Sequence, residues 1–117
     1  MAYEIKRHDQ RPFFVVALTD ENSLVDLSTA TNAYFNMGTA VGSSIGAAVI
    51  TRGTAAITNA TGGEVTYRWG ATDTANSGKY LGEIVIIWSD GKQETFPGGP
   101  ATGSYWPITI TDDIDNA

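Results

Sequence analysis

Four groups of residues in this sequence have side chains suited to chemistry. The single histidine, His8, lies in the charged run Tyr3-Glu4-Ile5-Lys6-Arg7-His8-Asp9-Gln10-Arg11. A catalytic histidine needs a nucleophile on one ring nitrogen and an orienting acid on the other. No serine or acid stands at a recognisable spacing, so His8 reads as a solvated or interface residue. Carboxylates recur as Asp20-Glu21, and as Asp73 with Glu83. Glycosidic cleavage needs two carboxyls held roughly 5–9 Å apart. Nothing fixes either pair in that relation, and they read as turn and surface acids. Asp112-Asp113-Ile114-Asp115-Asn116 clusters oxygens, but a calcium loop alternates its ligands and turns on a glycine. Lacking both, the segment reads as an acidic tail, solubilising or facing a basic neighbour. The fourth group is aromatic. Trp69, Trp88, Trp106, Tyr67 and Tyr80 fall on inward positions of strand patterns and read as core, while Tyr34 and Tyr105 point outward, where a sugar could stack.

Composition removes further classes. There is no cysteine, hence no disulfide, thiolate zinc site or thiol nucleophile. Seven basic residues against 13 acidic ones give a net charge of −6, and they are scattered. A nucleic-acid binder concentrates Lys and Arg to replace phosphate counterions. The glycines fit no phosphate loop, since none stands between a strand and a helix. No run approaches the ~20 apolar residues of a membrane span, and the N-terminal segment lacks a signal-peptide core. The expectation is a protein made in a cytoplasm, with no cofactor, no metal, no nucleic-acid or membrane partner and no reaction of its own.

The elements that would position these residues are strands. Lys79 to Trp88 is the longest strand-like run, rich in β-branched residues and closed by Asp90-Gly91, a hairpin signal with Gln93–Phe96 returning. Its second half is apolar on both faces: Ile84, Ile86 and Trp88 on one, Val85 and Ile87 on the other. Phe13 to Thr19 also reads as apolar on both faces. Ala33–Met37 is a further strand, and Glu64–Trp69 alternates cleanly with Val65, Tyr67 and Trp69 inward. Tyr105–Thr111 closes the set. Residues 38–63 are rich in Gly, Ala, Ser and Thr, and predict short edge strands or loops. Thr72–Ala75 predicts one helical turn capped by Thr72 or Asp73. Short strands with glycine-rich turns and no helical period indicate an all-β fold, an antiparallel β-sandwich of seven to eight strands. The domain would span 13–111, after an extended arm at 1–12 and before an acidic tail at 112–117.

Ala33-Tyr34-Phe35-Asn36-Met37, Val65-Thr66-Tyr67-Arg68-Trp69, Asp73-Thr74-Ala75, Gly78-Lys79-Tyr80, Glu83, Asp90-Gly91 and Thr95-Phe96-Pro97 follow in one order and spacing. That series, within Ile5 to Asp112, resembles the N-terminal domain family of phage baseplate upper proteins. The resemblance implies an immunoglobulin-like sandwich that acts as a structural module of the virion, with no catalytic residues to carry over. It implies attachment or assembly in the tail, baseplate or fibre, with capsid decoration or a head-fibre base as the alternative. A carbohydrate-binding module aiding host adsorption, with a surface glycan as ligand, is the second alternative. Partners would be other virion proteins and further copies of the chain. The expected contact residues are Tyr3, Ile5, Arg7 and Arg11 on the arm, outward Phe14, Val16, Val85 and Ile87, the outward Tyr34 and Tyr105, and the 38–61 edge.

Overall fold

The computed structural model describes residues 3–20, 23–42, 44–97 and 105–114, and all of their regular structure is β. The strands are β1 (Tyr3–Lys6), β2 (Phe14–Ala17), β3 (Thr19–Asp20), β4 (Ser23–Leu24), β5 (Ala30–Val41), β6 (Ser44–Asn59), β7 (Glu64–Tyr67), β8 (Gly78–Trp88), β9 (Gln93–Phe96) and β10 (Trp106–Thr111). Their order is β1-β10-β8-β5-β6-β7-β2, with β9 added beside β8 and β3–β4 forming a small separate ribbon. Among the described residues no helix is long and apolar enough to cross a membrane.

Strand β8 is central because both of its edges are occupied. Residues Tyr80–Trp88 pair with β5, while the other edge is shared by β10 at Gly78–Gly82 and β9 at Ile84–Ile87. Strand β6 is the bend. Residues Ser44–Ala55 lie beside β5, and Ala56–Asn59 cross to β7. The sheet therefore folds over on itself as a sandwich, nearly closed. Its end strands meet through side chains, with the Tyr3 ring 5.2 Å from Phe14 and 5.9 Å from Trp69. All pairings are antiparallel except β1 with β10, which is parallel.

The core follows the two-residue period of the strands. Inward rows supply Ala33, Phe35 and Met37 from β5, Tyr80, Ile84 and Ile86 from β8, Val65 and Tyr67 from β7, and Ile108 and Ile110 from β10. Phe35 stacks on Tyr67 at 4.6 Å, and Trp69 stands edge-on to both at 5.8 and 5.5 Å. Gly82 makes room for this packing. A Cβ there would lie 2.8 Å from Ile108 Cδ1 and 3.0 Å from Phe35 Cε1. The Asp90-Gly91 turn forms as its residues dictate: Gly91 takes φ +85°, Trp88 N–H donates to Lys92 O, and Asp90 Oδ1 accepts from Lys92 N–H.

Four expectations are corrected. The N-terminal segment is no free arm: Tyr3–Lys6 is β1, and Ile5 is buried in the core. Its apolar residue is worth more inside, and the ladder to β10 satisfies its backbone. Phe14 points inward at 2% exposure, with Val16 packed partly against the core; Val15 is the outward residue, half-exposed. With apolar residues at six successive positions, parity was undetermined until Phe14 found the Tyr3–Trp69–Phe35 cluster. Residues 44–59 are one 16-residue strand, where two short ones were expected. Its small side chains add little burial, but a continuous partner in β5 supplies the ladder. Finally, Thr66, an outward position in the Glu64–Trp69 alternation, is buried, its hydroxyl 3.0 Å from that of Thr58 on the neighbouring β6.

Candidate functional site

The candidate chemical groups have local work to do. Asp73 Oδ2 accepts from Tyr67 O–H at 2.6 Å and from Gly70 N–H at 2.7 Å, so it caps the turn at 70–73. Burial, and then the Asp73 carboxylate as acceptor and charge, push the Tyr67 phenol well above its ordinary range. Glu83 belongs to a different face and binds Asn36. The acidic segment meets this chain's own cations: Arg7 lies 3.3 Å from Asp113 and 3.8 Å from Asp112, and His8 Nδ1 is 3.9 Å from Asp113. Asp115 and Asn116 lie outside the described residues, as does Glu21. Among the described residues no group of three or more His, Asp or Glu is arranged to hold a metal.

Thr74 was missed as a structural residue. It is fully buried, donates to Asp9 O at 2.8 Å and accepts from His8 N–H through its own carbonyl. Together with Trp69 Nε1, which donates to Pro12 O and to Tyr3 Oη, it pins the whole N-terminal segment to the sandwich. Tyr3 O–H donates to Pro12 O. Four of the expected contact residues are therefore engaged within the chain, Ile5 and Phe14 buried in the core and Tyr3 and Arg7 half-buried in internal contacts. Arg11 is exposed, its guanidinium 5.6 Å from the Phe13 ring, with Arg68 at 5.5 Å from the same ring.

Tyr34, Val85 and Ile87 share one face. Register pairs Asn32 with Ile87, Tyr34 with Val85, Asn36 with Glu83 and Gly38 with Leu81, and these form the outer face of β5 and β8. Val85 and Leu81 lie outside the main core cluster yet are only 3% and 9% exposed. Val85 is thus already covered within the chain, which corrects its reading as an open contact. Ile87 and Tyr34 are half-buried.

At the far end of this face lies a groove of about 240 Å³, lined by Asn36, Ile45, Ala48, Leu81, Glu83 and Tyr105 among others. Asn36 organises its rim. Its Oδ1 accepts from Arg52 N–H at 2.6 Å, and its Nδ2 donates to Glu83 Oε2 at 3.1 Å. Arg52 has φ +52°, and its guanidinium sits 4.3 Å above the Tyr34 ring. One face of Tyr34 is thereby occupied by this chain, which leaves less of it for a sugar. The positive φ of Arg52 belongs to a ladder with three register shifts between β5 and β6. Each interrupts the regular pairing, as a β-bulge does.

Beyond the groove the β5–β6 hairpin projects, and the molecule measures 46 × 27 × 23 Å. Val41, Ile45 and Val49 are 65%, 39% and 45% exposed. No charged residue occurs between Asp26 and Arg52. An uncharged, apolar surface on a chain of net charge −6 is suited to burial against protein rather than to chemistry. Asn36, Arg52 and Ile45 had no sequence signal, because only the β5–β6 and β5–β8 registers bring them together. Comparison with family models, with curated proteins and with solved structures finds no match to this chain.

Proposed function

We propose that the chain is a non-enzymatic assembly module of a tailed-phage virion, seated in its tail, baseplate or fibre. Capsid decoration or a head-fibre base is the alternative position. The sequence resemblance supplies the phage context. The observation that supports an assembly role is the projecting β5–β6 hairpin, uncharged and with Val41, Ile45 and Val49 exposed. Such a surface gains free energy, at about 25 cal/mol per Å² of apolar area removed from water, only when something covers it. Standard interfaces bury about 800 Å² per partner.

The test is made on purified particles of the phage that encodes the chain. An antibody against it is expected to label them at one fixed location, with a constant copy number by quantitative mass spectrometry. A Val41→Lys chain should fold normally and be missing from particles grown with it. Particles without the wild-type chain would refute the virion reading. Val41→Lys particles with full occupancy would refute the hairpin as the contact.

A further inference from the structure

A strand edge carries unpaired N–H and C=O groups, a template for another strand unless the protein blocks it. Most edges here are managed. Strands β1 and β2 are four residues each and close on one another through Tyr3, Phe14 and Trp69. Strand β1 also carries Glu4 and Lys6. Strand β9 is four residues with Glu94 inside it, Lys92 before it and Pro97 after it. Strand β6 differs. From Ser44 to Ala55 it has β5 on one side and no strand on the other among the described residues, since β7 joins only at Ala56. Its run Ser44-Ile45-Gly46-Ala47-Ala48-Val49-Ile50-Thr51 has no charge and no proline. Three register shifts interrupt this stretch and two amides of the strand are taken up inside the hairpin, so the edge offers its remaining backbone groups. Ala47 N–H donates to Thr39 Oγ1 at 2.8 Å, and Arg52 N–H to Asn36 Oδ1.

We infer that this β6 edge pairs with the same edge of a second copy, antiparallel about a two-fold axis, so that one sheet runs through both chains. This deepens the assembly reading and rests on it for its biological setting. A second copy is the occupant that the charges favour. In a two-fold contact each segment faces itself, so the stretch free of carboxylates meets its own equal, and the acidic surfaces of two chains of net charge −6 stay apart. The three register shifts compress the run, so that Ser44–Ile50 lies against only Met37–Val41, and the ladder it offers is about 17 Å long. Ile45 and Val49 of both copies then lie on the paired strands, and part of their apolar area now exposed is covered.

The full chain is examined by sedimentation across a concentration series, with amide hydrogen exchange at both ends of the series. The expected result is a dimer at high concentration, with the amides of Ser44–Thr51 gaining protection as it forms. Val49→Lys should weaken the dimer by about tenfold or more, a change of about 1.4 kcal/mol, with circular dichroism and melting unchanged. Ala17→Lys on β2, far from the junction, should leave it intact. A monomer at every concentration would overturn the inference. So would a dimer whose β6 amides stay unprotected, or one indifferent to Val49→Lys, since each places the contact elsewhere. A chain that dimerises by this edge yet is missing from particles defeats the virion reading alone, whereas a monomer that is found in particles defeats the edge pairing alone.

Discussion

The two ends of this molecule use the same antiparallel ladder and differ in what hangs from it. At one end Phe14, Phe35, Tyr67 and Trp69 interlock with Tyr3 and Trp106 at centroid distances of 4.6–6.4 Å. At the other the β5–β6 hairpin carries Gly, Ala, Ser, Thr and a few Val and Ile, and many of these stay exposed. Large rings bury 150–250 Å² each and determine which way a strand faces. Small side chains leave a strand held by its backbone bonds, so the hairpin has surface to offer and little core of its own. Stability should concentrate at the aromatic end and association at the hairpin end.

The sharpest break of that comparison is Phe35→Ala, at 0% exposure in the middle of the cluster. It should cost about 3–5 kcal/mol in urea unfolding. Val41→Ala at the hairpin should change stability by less than about 0.5 kcal/mol. Similar losses at both sites would show that the hairpin is part of the cooperative core after all. A smaller effect is expected from Asn36→Ala, which removes the acceptor for Arg52 N–H and the donor to Glu83. About 1 kcal/mol should be lost by the same assay. Exchange of the Arg52 amide should quicken well beyond that of Tyr67, and equal quickening at both would mean that Asn36 supports the whole sheet rather than the bulge.

The least severe test is alkaline pH. The Tyr67 phenol is held neutral by burial and then by Asp73, and burial alone raises Tyr80. A folded-state pKa above the unfolded value of about 10 stabilises the fold fully below pH 10, and that contribution is lost as pH rises further. Wild-type melting temperature should therefore fall above pH 10, and Tyr67→Phe should make the fall shallower. An equally steep decline in Tyr67→Phe would remove Tyr67 as its source.

Much of the strand plan could be read directly from residue types. Alternation in Val65-Thr66-Tyr67-Arg68-Trp69 placed the three large residues inside, and Asp90-Gly91 placed a hairpin with Gln93–Phe96 returning, as found. Reading failed where the pattern was degenerate. Phe13 to Leu18 is apolar at every position, so its facing depended on which partners were large. Gly- and Ala-rich residues 38–59 have no period to read, and their length as a strand came from β5. Of the candidate surface, Tyr34 and Tyr105 were legible as outward aromatics, and Ile87 as outward aliphatic. The Asn36–Arg52–Glu83 arrangement was not, because it joins residues 16 and 47 positions apart in the chain.

What the amino-acid order determined by itself is therefore local: which segments extend, where they turn, the lack of thiols and the net negative charge. These follow from side-chain branching, φ preferences and formal charge, all of which act within a few residues. The tertiary structure decided the rest. It docked Tyr3–Lys6 beside β10, turned Phe14 inward, covered Val85, consumed Asp73 and Arg7 in internal contacts, and left one long edge of β6 without a strand neighbour among the described residues. Those outcomes depend on register and on competition for buried volume between distant segments, quantities that exist only once the strands are packed together.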